Sequence, residues 1–150
     1  MSKQEEASLI LKLYELRREA TMRKARDWFF REFNPESVAD VKAAMFGEHG
    51  AHLRMVTSYW EMAAALVNQG AISQEMFNAT NGEQIGVFSK MEPLLEELRA
   101  VMGPHFMQSL EKLIDTTPGG REGAAAARER MKAIRAEMAA KNAEMEAAVR

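Results

Sequence analysis

The sequence contains no cysteine. That absence excludes disulfides, thiolate nucleophiles, zinc fingers and iron–sulfur clusters held by Cys. Proline (4 residues) and glycine (9 residues) are scarce, which argues against long unstructured stretches. Sustained two-residue alternation with β-branched side chains is missing, so no strand is expected. The opening MSKQEEASLILKLYELRREA has an apolar run of a few residues and then turns charged. That run is too short for a signal peptide's apolar region and far short of the ~20 residues of a membrane span. The expected location is therefore cytoplasmic, without a membrane span. Catalytic signatures are lacking too. Gly119-Gly120-Arg121-Glu122-Gly123 has neither the Lys-Ser/Thr ending nor the preceding strand of a phosphate loop. Neither G-x-S-x-G nor H-E-x-x-H occurs, and the three histidines stand in no recognisable triad setting. No catalytic residue is assigned and no cofactor is expected.

What is present points to one helical domain. The 150 residues suit a single domain of ~100–150 residues, and a chain of this length buries roughly 68–70% of its unfolded surface. Apolar residues make up 47% and charged residues 28%, an ordinary soluble balance. The net charge of −2 is uneven: residues 1–32 carry 8 basic and 6 acidic groups, residues 33–120 carry 5 and 11, and residues 121–150 carry 7 and 5. An acidic middle argues against nucleic acid as a partner, because phosphate-backbone binding needs clustered Lys and Arg. The basic run Arg17-Arg18, Arg23-Lys24 and Arg26 is interleaved with acids and reads as a solvated face.

Apolar residues recur at three- and four-residue steps along almost the whole chain, and each run predicts a helix. The first should span about 4–33, with Leu9, Leu13, Leu16 and Ala20 on one stripe and a shifted stripe at Met22, Ala25 and Phe29. Asn34-Pro35 ends it and starts a short helix to Phe46, with Gly47 as a left-handed stop. The helix over about 50–69 carries two stripes, Leu53-Val56-Trp60-Ala63-Val67 and Met55-Tyr59-Met62-Leu66, and should be the most buried. A short helix over 74–80 capped by Ser73 follows. The next, over 83–102, should kink at Pro93 or split after Met91. A helix ending near Asp115 precedes the break Thr116-Thr117-Pro118-Gly119-Gly120. Beyond it, an Ala-rich helix carries a thin stripe at Ala127, Met131, Ile134, Met138, Met145 and Val149. A thin stripe suits a seam against one other helix, and the first helix, in this chain or in a second copy, is the expected mate.

The polar residues offer one candidate metal or small-ligand site, His49, His52 and Glu61. Imidazoles three apart on a helix with a carboxylate near them fit a divalent cation. Gly47 and Gly50 bracket the pair, however, and place it at a helix junction, where a solvated corner is the simpler account. Glu61 lies on the polar edge of the most buried helix, where an Arg, such as Arg99, would be its structural partner. A pocket around Trp28, Tyr59 and Glu61 is the enzymatic variant of this reading, although aromatic residues at helical spacing usually form core.

The block YWEMAAALVNQGAISQEMFNATNGEQIGVFSKMEPLLEELRAVMG carries Trp60 and Glu61, then Gly70-Ala71-Ile72 closing that helix. A short helix comes next, and then one with an inner Pro93 and Arg99. On these features, residues 28–113 resemble a family of uncharacterised bacterial helical domains of unknown function. The resemblance implies a helical fold and no catalytic residue. Members of that family often look membrane-tethered at the N-terminus, but no such segment is expected in this chain.

The resulting expectation is an all-α bundle of five to seven helices with long first and last helices. Residues 1–118 would form the core bundle and 119–150 the C-terminal helix. The expected role is a non-enzymatic interaction or regulatory module that self-associates as a dimer, with room for another protein partner. The interface is expected at Leu9, Leu13, Leu16, Met131, Ile134, Met138 and Met145.

Overall fold

The computed structural model describes residues 2–150. Among them all regular structure is helical: α1 (Lys3–Arg17), α2 (Ala20–Arg31), α3 (Val38–Phe46), α4 (Gly50–Asn68), α5 (Gln74–Thr80), α6 (Glu83–Met91), a 3-10 turn (Glu92–Leu94), α7 (Leu95–Met102), α8 (Gln108–Thr116) and α9 (Gly120–Val149). The nine α-helices exceed the expected five to seven because two expected helices are each divided.

The division of the helix expected over 4–33 has no proline or glycine to announce it. Ser2 and Glu5 start α1 with a reciprocal capping box. At Glu19 the backbone turns extended (φ −59°, ψ 146°), and its carboxylate accepts from the Met22 amide at 3.0 Å. The Thr21 and Met22 amides hold that carboxyl below its usual range. The break lets two out-of-phase stripes face one core: Ile10 and Leu13 from α1, then Met22, Ala25, Trp28 and Phe29 from α2. The second division falls where Pro93 requires it. With no amide hydrogen and a ring that crowds the preceding turn, Pro93 sits in the 3-10 turn after Met91.

The spine is α4, which packs on α2 on one side and α8 on the other. Its first stripe is buried from Leu53 to Val67. The second stripe is buried less than its composition suggests: Met62 is 45% exposed, and Met55 and Leu66 are half-buried. Thr57 is buried in its place and donates its hydroxyl to the Leu53 carbonyl at 2.9 Å, which removes the cost of an unpaired group. Gly70 ends α4 in the left-handed region (φ 84°), with the Ala71 amide reaching back to the Leu66 carbonyl at 2.9 Å. Gly47, expected to be left-handed, is not (φ −91°). The demand for glycine at that corner is one of space: a Cβ would lie 2.1 Å from the Met45 carbonyl oxygen at Gly50 and 2.8 Å from the Ala43 carbonyl oxygen at Gly47.

α9 lies across α6 and α8. Small residues allow its close approach, with Ala124 and Ala127 buried against the rest. Gly120, like Gly50, opens its helix against a carbonyl, Ile114 O, only 2.1 Å from where a Cβ would be. One connected cluster of buried side chains runs from Ile10 to Ala124. Past Met131 every residue of α9 is exposed. α1 packs chiefly on α2 and α5, so the two terminal helices are not each other's mates within the chain.

Candidate functional site

The residues expected to form a metal or ligand site do not converge. His49 is the residue before α4, and its ring stacks on Trp28 with centroids 5.1 Å apart and planes at 23°. His52 lies one turn on, 6.2 Å from Trp28 and 5.6 Å from His49, centroid to centroid. Trp28 is itself buried and stacked on Phe33 at 5.1 Å, so both imidazoles serve as a cover over an aromatic core edge. The nearest acid is Glu48, whose Oε1 stands 3.4 Å from His49 Nε2. Among the described residues no three His, Cys, Asp or Glu side chains gather as a metal would need.

Glu61 is elsewhere, nine to twelve residues along α4, or ~13–18 Å at 1.5 Å per residue. Its partner is not Arg99, as expected, but the start of α8. The Ser109 and Leu110 amides donate to its two carboxylate oxygens at 2.9 and 2.7 Å. The reason lies in α8's own sequence. The residue at its N-cap is Met107, left-handed at φ 56° and without an oxygen to offer. The orphan amides of that first turn are satisfied instead by a carboxylate from α4, which also complements the positive helix end. Asn68 Nδ2 adds a bond to the Ser109 carbonyl at 2.9 Å. Arg99 turns to the Phe106 carbonyl (2.9 Å) and Glu111 (2.8 Å).

Trp28 and Glu61 line different cavities, and Tyr59 lines neither of them. The Tyr59 hydroxyl donates to the Leu13 carbonyl at 2.6 Å, and burial pushes its pKa up to about 12. Tyr59 thus ties α4 to α1.

Of the residues expected at an assembly interface, Leu13 faces the chain's own core and Leu9 is half-buried against it, while Leu16 is 44% exposed. Met131 is half-buried. Ile134, Met138 and Met145 are 54%, 60% and 68% exposed and continue to Val149 on one side of α9. The stripe runs into an open apolar groove of about 490 Å³ whose lining includes Phe30, Ile85, Gly86, Met131 and Ile134.

Two charged centres were not singled out in the sequence. Arg121 bridges Asp115 (2.6 Å), Glu92 (2.7 Å) and Glu111 (3.0 Å), which hold its guanidinium charged more firmly than usual. Lys90 is buried, and its Nζ donates to the Phe29 and Phe33 carbonyls at 2.7 Å each, reaching also Asn34 Oδ1 at 3.2 Å. It closes the carbonyl end of α2, where a cation is favoured. The available signal was position: Lys90 falls between Val87 and Leu94 on the inner face of α6 and the following turn.

The family model described as Domain of unknown function (DUF4760) matches residues 4–117. The chain belongs to this family. No curated protein and no solved structure matches it. The DUF4760 match spans α1 to α8 and contains residues 28–113, which carry the resemblance. It stops before Gly120, so α9 and its exposed stripe lie outside it. No helix among the described residues is long and apolar enough to cross a membrane.

Proposed function

We propose that this chain is a non-enzymatic helical interaction module of regulatory type that self-associates through α9, with a second copy's α9 lying antiparallel along the stripe Ile134–Met138–Met145. The observation that carries the reading is the solvated second half of α9, a helix some 18 residues past Met131, or ~27 Å, with apolar side chains at seam spacing that stay 54%, 60% and 68% exposed at Ile134, Met138 and Met145. Charge favours a second copy as the occupant. Residues 128–135 carry four basic groups and one acid, net +3, whereas residues 137–146 carry three acids and one basic group, net −2. Antiparallel pairing sets these opposite signs side by side, and parallel pairing sets like on like. The non-enzymatic part is supported by the engagement of the chemically capable groups, since Glu61, Tyr59 and Lys90 are each bound to backbone.

Size-exclusion chromatography with light scattering tests it. The expected mass at tens of micromolar is that of a dimer, and Met138→Glu is expected to give the monomer mass. A monomeric native chain at that concentration, or a Met138→Glu variant with unchanged mass, is the result that sinks it.

A further inference from the structure

On the flank of α9 that faces the 3-10 turn and the α2–α3 connection lies a cleft of about 320 Å³. Its walls hold four cations, Lys90, Arg128, Lys132 and Arg135, against one acid, Glu36. The remaining lining is Asn34 with the apolar surfaces of Pro35, Pro93, Leu94 and Met131. How far each cation is already neutralised decides what the cleft can hold. Arg128 shares Glu92 (3.1 Å) with Arg121 and donates to the Ser89 carbonyl. Lys132 is 3.5 Å from Glu129 in an exposed pair, which is worth little. Arg135 has one neutral partner, Asn34 Oδ1 at 2.9 Å, and Lys90 has carbonyl and amide oxygens. Positive charge therefore exceeds negative at this spot, in a chain whose total is −2.

Asn34 links the parts. Its Oδ1 accepts from both Lys90 and Arg135, which aims its amide Nδ2 away from them as a spare donor. The guanidinium of Arg135, bound through Nη1 alone, keeps further donors in a fixed fork. We propose that this cleft binds a small organic anion, a carboxylate or phosphate monoester carried on a short apolar body. The anionic end meets Arg135, Lys132 and the Asn34 amide, and the body lies on Pro93, Leu94 and Met131. Buried Lys90, whose pKa is lowered to about 8 by burial and by the charge of Arg135, gains from an anion that offsets that repulsion. The site and the α9 seam lie on opposite flanks and meet at Met131, which lines both: Arg135 and Lys132 line the cleft on one side, while Ile134 and Arg130 line the groove on the other.

Titration of the full chain with phenyl phosphate, followed by NMR, tests the assignment. The expected result is saturable binding with shifts at the Asn34 side-chain amide and the Leu94 and Met131 methyls. Arg135→Leu and Lys132→Leu, both exposed and so compatible with folding, should each weaken binding by about tenfold, while Arg130→Leu leaves it unchanged. Inorganic phosphate should bind more weakly than phenyl phosphate, and Met138→Glu should bind phenyl phosphate like the native chain. The proposal is overturned by a linear, salt-like response, by equal losses in Arg130→Leu and Arg135→Leu, or by equal affinity for the two phosphates. Loss of binding in Met138→Glu would assign the shifts to self-association and overturn it as well.

Discussion

At the scale of single residues, the polar groups that look most chemical serve to complete the backbone. Glu61 is the clearest case, because two amides of α8 have no other acceptor of comparable charge. Glu61→Ala should cost ~1–2 kcal/mol, the usual range for losing a cap with charge assistance, and Glu61→Gln less, since an amide oxygen still accepts. Urea denaturation followed by circular dichroism measures both, and equal losses for the two would contradict the capping role. Lys90 gives a test in pH. Its pKa is lowered to about 8 in the folded chain from an ordinary value of 10.5, so above pH 8 the native state sheds a proton that the unfolded chain keeps. The unfolded state then binds more protons, and stability rises with pH. Between pH 7 and 9.5 the native chain should gain ~1–2 kcal/mol relative to Lys90→Met. The comparison stops short of the window in which Tyr59, pushed up to about 12, begins to act in the opposite sense. A constant difference across that range would show that the carbonyls around Nζ offset its desolvation.

At the scale of elements, the helix boundaries follow local chemistry in some places and close contacts in others. Ser2, Ser37 and Ser73 each cap the helix that follows, and Pro93 sets the 3-10 turn. The starts of α4 and α9 obey a different rule, since Gly50 and Gly120 are required by a neighbouring carbonyl and not by a positive φ. Gly120→Ala, although it raises helix propensity, should destabilise the fold by ~1–3 kcal/mol, the usual cost of overpacking. Ala substitution at Gly82, where nothing stands within 4 Å of the added Cβ, is the control. Thermal denaturation separates them, and a Gly120→Ala protein as stable as the native chain would mean that the α8–α9 corner opens freely.

For the whole molecule, the arrangement is a closed body of α1 to α8 with a long helix half laid on it and half free. The DUF4760 match ends where the closed body ends. Because Met138 is 60% exposed, the Met138→Glu change that tests self-association should leave the stability of the isolated chain within about 0.5 kcal/mol. A drop in both mass and melting temperature at high concentration, with both differences vanishing on dilution as the native chain itself dissociates, would be the signature of a lost seam.

Much of this was legible in the sequence, because it depends on periods and on residues that act on their own backbone. Steps of three and four gave the helical class, the extent of α4, the Ser73 cap and the split after Met91. They also gave the stripe of α9, of which Ala127 and Met131 turn out to lie buried or half-buried on the chain's own body while Ile134, Met138, Met145 and Val149 stay exposed. Other features lie between elements, and no local pattern records them. Whether Glu61 meets Arg99 or the amides of α8 depends on where Met107 leaves that helix end uncovered. The break at Glu19 depends on bringing two stripes, out of phase along one helix, against one core. A lysine on an inner face becomes tolerable only when the carbonyl end of α2 is placed within reach of its ammonium, and only the assembled fold could decide that.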